Sequence, residues 1–217
     1  HFSATLDWAM RWVLLIGVPS ALALILLAEP ILITLFQYGA LTSHDVDMSA
    51  LSLRALSLGL VAFMLIKVLA PGFYAHMDTA TPVKIGITAM VANMVMNLMF
   101  SLPLMYFWNI GHMGLALATS IAAMLNAGLL MRGLLRARFY QFEPGWKPFA
   151  LRLLMASASM VVVILWLVPA EAAWYEWRWQ HRVLELGLLC GVGVAVYFAS
   201  LWLLGTRMQH LLAPAPH

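Results

Sequence analysis

The sequence predicts an all-α fold: a polytopic transmembrane helix bundle of six spans. Three observations predict it. Of the 217 residues, 64% are hydrophobic and only 10% are charged, whereas a soluble domain carries about 25% charged residues. Apolar runs of the ~20 residues needed to cross a bilayer recur six times. Lys and Arg gather in alternate loops, which is how multi-span proteins are oriented in a membrane.

The first apolar run covers residues 6–28. Residues 30–39 (PILITLFQYG) are apolar but too short to cross, which predicts an interfacial or re-entrant helix. The second run, 46–75, is long enough to tilt or bend, and Asp45 and Asp47 at its start favour a helix N-terminus. The third and fourth runs cover 82–106 and 113–135, the fifth and sixth 149–168 and 183–204. Pro19, Pro71 and Pro103 stand inside three of them, and each removes a helical hydrogen bond. The Pro-rich tail, 213–217, is expected to fray.

The loops differ in basic content. Residues 29–47 and 107–112 hold no Lys or Arg. Residues 132–152 hold Arg132, Arg136, Arg138, Lys147 and Arg152, and Lys67 and Lys84 flank the turn after the second span. The positive-inside rule places these basic segments in the cytoplasm. The first span then runs outward and the C-terminus, with Arg207, lies inside. The outer stretch 170–182 carries Arg178 and Arg182 balanced by Glu171 and Glu176. Its tryptophans, Trp174, Trp177 and Trp179 with Trp166 at the edge, suit an interfacial aromatic belt.

Several function classes are excluded. The net charge of +3 does not indicate nucleic acid, because the basic residues lie in loops or singly within apolar runs. The single cysteine, Cys190, forms no intrachain disulfide, and no Cys/His cluster has metal-ligand spacing. There is no H-E-x-x-H, G-x-S-x-G or P-loop, so no enzyme is expected. The chain begins at His1 with no signal peptide and is expected to be a C-terminal segment of a longer protein.

The charged residues within the spans carry the functional signal. A cation among lipid-length apolar residues costs roughly 2.5–3.5 kcal/mol on insertion scales. Lys67 and Arg54 share the second span about 20 Å apart along a helix, on different faces, with no acidic partner at i±3 or i±4. Two unpaired cations facing lipid are expensive, so at least one should face a wet cavity, and a cationic cavity wants an anion. Arg11, one turn into the first span, is either a snorkelling anchor or a cavity-facing cation. Pro71-Gly72, next to Lys67, is the candidate hinge. Asn93 and Asn97 share one face of the third span, and Ser120, with Thr119 and Asn126, extends a polar seam onto the fourth. Interhelical hydrogen bonding and a Na⁺ or substrate site are the two readings of that seam. Gly187 and Gly191 form a G-x-x-x-G, a weak helix-packing signal.

The segments LFQYGALTSHD, KVLAPGFYAHMDTATPVKI and PGWKPFALRL resemble the C-terminal part of the MurJ (MviN) lipid II flippases, a branch of the multidrug/oligosaccharidyl-lipid/polysaccharide exporter superfamily. The resemblance covers nearly the whole chain in order and spacing. It implies the last six spans of a fourteen-span flippase in the bacterial inner membrane, with the C-terminus cytoplasmic. Residues 1–136 would be four spans of the C-terminal transport lobe with the interfacial helix near 30–39. Residues 137–148 would be a cytoplasmic loop, and 149–217 two extra spans and the tail. The implied activity is alternating-access movement of undecaprenyl-pyrophosphate-linked peptidoglycan precursor, lipid II, through a cationic cavity, with the last two spans helping to form a groove for the lipid tail.

Lys67 matches the lysine of the family motif, Arg11 falls where relatives carry an arginine, and relatives carry a basic residue about one turn before Arg54. Some members bind Na⁺ with an Asn and an Asp four apart on the matching third span. Here the pair is Asn93 and Asn97, which leaves coupling open between Na⁺, protons and membrane potential. No resident cofactor is expected. Expected partners are lipid II, membrane lipids and cell-wall synthesis proteins, with no nucleic acid. The rival readings are another polyprenyl-linked oligosaccharide flippase or a drug antiporter of the same superfamily, and a non-transporting scaffold of the cell-wall machinery. A drug-cation antiporter should prefer buried carboxylates, where these spans show cations.

Overall fold

The structure is a computed structural model that describes residues 2–38, 42–108 and 111–205. The end of the 30–39 segment, Arg207 and the tail 213–217 lie outside the described residues. Eight helices follow in order: α1 (Phe2–Leu26), α2 (Ala28–Phe36), α3 (Ser43–Tyr74), α4 (Ala80–Trp108), α5 (Gly111–Arg136), α6 (Trp146–Leu167), α7 (Glu171–Glu176) and α8 (Trp179–Leu203). All but α2 and α7 are long and apolar enough to cross a membrane. The chain is a multi-pass membrane protein. Helix α2 takes the place of the apolar segment too short to cross. Helix α7 and the first turn of α8 occupy the stretch read from sequence as an outer loop.

The helix ends follow local chemistry. Thr42 caps α3 in a reciprocal capping box: its backbone N–H donates to the Asp45 carboxylate at 2.9 Å, and its hydroxyl accepts from the Asp45 N–H at 3.3 Å. Asp78 accepts from the Thr81 N–H at 3.0 Å and starts α4. These hydrogen bonds hold its carboxyl below the usual carboxylate range. Gly145 takes φ +98° immediately before α6, a conformation natural to glycine.

Helix α3 is the hub. It packs between α1 and α5, with α4 on α5 and α2 across its first half. Helices α6 and α8 form a pair that joins this group mainly through α1, and α2 reaches α7 and α8 at the far end. Small residues set the close crossings, as expected where lipid supplies no hydrophobic drive between helices. A Cβ on Gly59 would sit 2.8 Å from the Ser120 Cα, and one on Gly114 2.9 Å from the Phe100 and Ser101 backbone. The G-x-x-x-G at Gly187 and Gly191 makes no close crossing among the described residues, because a Cβ at either position meets none of their atoms within 4 Å. Gly193 instead lies against Ile164.

The start of α1, the α3–α4 turn and the α5–α6 connection meet at one end. Phe2 packs edge-on to His76, His76 stacks on Phe139, and Ser3 exchanges hydrogen bonds with the Gln141 backbone. The basic segments therefore gather on one side, and α2 and α7 lie on the other. The aromatic belt is narrower than expected from sequence. Trp166 and Trp179 are exposed, but Trp174 is fully buried in the core formed by α1, α2, α6 and α8. Its ring packs on Trp177.

Gly59→Ala should lower the melting temperature in detergent, at a cost of about 1–3 kcal/mol for overpacking. Gly187→Ala should leave it unchanged. Equal shifts in a thermal fluorescence assay would contradict the assigned crossing.

Candidate functional site

Lys67 lies seven residues before the end of α3, roughly 10 Å along the axis. Its side chain is exposed, and no described residue ion-pairs or hydrogen-bonds with it. Pro71 stands four residues on and has no N–H, so the Lys67 carbonyl also lacks its helical donor. Leu58, Leu65 and Leu69 line an apolar groove of about 380 Å³ with Met124 and Met131 of α5. At 3.6 residues per turn, Lys67 projects from the opposite side of α3.

The other two candidate cations are neutralised within the chain. Arg54 holds Glu29 of α2 in an ion pair at 2.7 Å, and its Nε donates to the Ile25 carbonyl at 3.2 Å. That carbonyl lies in the last turn of α1, where helical donors run out. Arg11 ion-pairs with Asp7 at 2.8 Å and donates through Nη2 to the Pro144 carbonyl at 3.1 Å. Its guanidinium lies over the Trp146 and Phe149 rings, 5.3 and 5.8 Å from their centroids. Arg11 thus pins the start of α1 to the α5–α6 connection and the start of α6.

Asp7 organises that contact, and the sequence reading passed over it. It is 3% exposed. Its Oδ1 accepts from the Tyr140 hydroxyl and the Trp146 indole N–H, each at 2.6 Å, and from the Glu143 N–H at 3.4 Å. Burial and this bond push the Tyr140 hydroxyl far above the usual tyrosine range. The available signal was a carboxylate in an apolar run with an arginine at i+4.

The structure divides the polar seam. Ser120 is fully buried and donates to the Ala55 carbonyl at 2.6 Å, which ties α5 to α3. Asn93, Asn97 and Asn126 each keep a buried Oδ1 with no donor among the described residues. At the hinge candidate, α3 runs unbroken through Pro71-Gly72. Gly72 is buried, and a Cβ there would lie 3.2 Å from Leu134 of α5. In this conformation the pair makes a packing contact.

At the opposite end α7 packs on α2. Arg182, 7% exposed, donates to the Ile33 carbonyl of α2 at 3.4 Å and the Tyr175 carbonyl of α7 at 3.1 Å. Burial raises the Glu171 pKa above its ordinary 4.5. The charges of Glu29 and Asp47 and a hydrogen bond with Glu29 add to the rise, and Arg54 opposes it. Separately, α1, α6 and α8 enclose an apolar groove of about 270 Å³ lined by Ile16, Pro19, Met160, Ile164, Cys190 and Val194 among others.

Spanning helices tied by polar contacts, with a partnerless cation on one and apolar grooves between others, define a part of a multi-pass membrane protein. The comparisons with known proteins carry this further. The family model described as "Lipid II flippase MurJ" matches residues 1–178. A probable lipid II flippase MurJ of Vibrio cholerae is 46% identical over 212 residues, covering 98% of this chain and 39% of the relative. One of Haemophilus influenzae is 44% identical, covering 97% and 40%. A solved structure titled "Lipid II flippase MurJ, inward closed conformation" matches with TM-score 0.70 and 25% identity, covering 93% of this chain and 40% of that one. The chain belongs to the MurJ lipid II flippase family. It spans about two fifths of the length of the curated relatives it matches.

The Glu171 cluster yields a pH prediction. A raised carboxyl pKa in the folded state makes its contribution most favourable at low pH, and that contribution is lost as pH rises from 4.5 through the folded value. Glu171→Gln should therefore raise the melting temperature at pH 7.5 and leave it unchanged at pH 4. The same shift at both values would show that the charge is not the cause.

Proposed function

We propose that this chain is the C-terminal part of a flippase that moves lipid II, an undecaprenyl-pyrophosphate-linked peptidoglycan precursor, across the bacterial inner membrane by alternating access. The observation that carries the reading is Lys67, a cation with no partner among the described residues, on the exposed side of a spanning helix in a MurJ-family chain. A pyrophosphate is a suitable counter-charge, because charge-assisted hydrogen bonds to phosphate oxygens are about twice as strong as neutral ones. Arg54 and Arg11 support Lys67 by holding α3 and α1 in place through Glu29 and Asp7. The groove between α1, α6 and α8 takes a segment of the polyprenyl tail: it is apolar, and its volume of about 270 Å³ suits part of a long chain better than a compact head group.

The orientation follows the charge distribution. The end that gathers Lys84, Arg132, Arg136 and Arg138 faces the cytoplasm, so Arg54, Glu29 and α7 lie at the outer side. Na⁺, protons and membrane potential are the three coupling alternatives. The Asn93 and Asn97 oxygens suit Na⁺ in donor type but bring no carboxylate, and transport that persists in Na⁺-free buffer removes Na⁺ from the three.

Lys67→Ala and Lys67→Glu in the full-length protein should cut lipid II transport tenfold or more, about the worth of one charged hydrogen bond, with Glu the more severe. Membrane insertion should stay normal. The measurement is growth rescue of cells depleted of their own lipid II flippase, with protein level followed in parallel. Full rescue by both variants would remove Lys67 from the site.

A further inference from the structure

Helix α8 meets α1 where α1 is missing a hydrogen bond. Pro19 has no N–H, so the Leu15 carbonyl, four residues earlier, has no helical donor. Tyr197 of α8, 3% exposed, donates its hydroxyl to that carbonyl at 2.7 Å. An unpaired polar group in hydrocarbon costs several kcal/mol. The pairing therefore satisfies two groups that would each be expensive alone.

The same contact lies in the wall of the apolar groove, which Leu15, Pro19, Tyr197 and Phe198 help to line. The other walls are tight. Gly193 brings α8 so near α6 that a Cβ would sit 3.1 Å from Ile164, and Ser159 of α6 and Ser200 of α8 share a hydrogen bond at 2.8 Å. The α6–α8 pair is thus a closely packed unit. Contact between α8 and α1 is slight by comparison, and the Tyr197 bond is a buried polar tie across it. Opening the groove means parting α8 from α1, and the bond to Leu15 resists that.

We propose that Tyr197 is a positioning residue for the lipid: its hydroxyl clasps α8 to the proline site of α1 and so sets how far the groove opens to a polyprenyl chain. This rests on reading the groove as the tail site. A chain wedged between α1 and α8 competes with the clasp, and the two unpaired polar groups left behind favour reclosure when the chain leaves. Gly17 of α1 packs on Val61 and Met64 of α3, so a displacement of α1 next to Pro19 is felt on the helix that carries Lys67.

Cys190 lines the same groove and reports on it. The experiment uses the full-length protein in nanodiscs with Cys190 as its only cysteine. The reading is the rate of reaction with a lipid-soluble maleimide at pH 8, with and without C55 polyprenyl phosphate. Tyr197→Phe should raise the lipid-free rate roughly three- to tenfold, the range set by interhelical hydrogen bonds in membranes. Pro19→Ala returns an N–H to the Leu15 carbonyl, so in that background Tyr197→Phe should change the rate less than about twofold. A full effect in both backgrounds, or none in either, overturns the clasp. Polyprenyl phosphate should slow the reaction in the wild type. Absence of protection in every variant overturns the tail reading, and with it the role of Tyr197 towards lipid, even where the Pro19–Tyr197 coupling holds.

Discussion

A backbone carbonyl or a charge left unpaired in hydrocarbon costs several kcal/mol, and the specific contacts of this bundle meet that cost. Pro19 exposes the Leu15 carbonyl, and Tyr197 covers it. The last turn of α1 exposes the Ile25 carbonyl, and Arg54 covers it while pairing with Glu29. Arg11 would be a lone cation in the first span, and Asp7 neutralises it. Ser120 returns its hydroxyl to the Ala55 carbonyl where α5 crosses α3. Except for the Arg11–Asp7 pair within α1, each contact joins different helices, so satisfying the polar group also fixes the packing.

Against that background Lys67 is the exception. Its ammonium has no partner among the described residues, and Pro71 strips its carbonyl of a helical donor as well. A bundle that neutralises Arg11 and Arg54 within itself leaves this cation exposed on the side of α3 away from the Leu58–Leu69 groove. The relatives in the MurJ family are named for lipid II, which carries a pyrophosphate, and the proposed role of Lys67 rests on that chemistry.

Much of the fold was legible in the sequence because the bilayer imposes length and polarity on every span. The six spanning helices start and end within about four residues of the apolar runs, and the short run became α2. Chemistry between helices was less legible. The Asp7–Arg11 pair is local, at i,i+4, and legible in the sequence, whereas Glu29 meets Arg54 only across helices. The tryptophan cluster looked like a belt, but Trp174 packs into the core, since composition does not reveal which way an interfacial ring turns. The G-x-x-x-G had the right spacing on a face with no close neighbour among the described residues, whereas Gly193, without a motif, packs against Ile164.

By itself the sequence determined the number and order of spans, the side on which basic residues gather and the family, because hydropathy, charge asymmetry and motif are local properties of the chain. Only the tertiary structure decided which cations are spent and which is free. It also decided that Ser120 is a packing bond, that Gly72 is buried against Leu134, and that Tyr197 answers Pro19. Those outcomes depend on pairing between residues far apart in sequence, Tyr197 with Leu15 or Arg54 with Glu29, and the folded packing of helices is what brings such groups within hydrogen-bond reach.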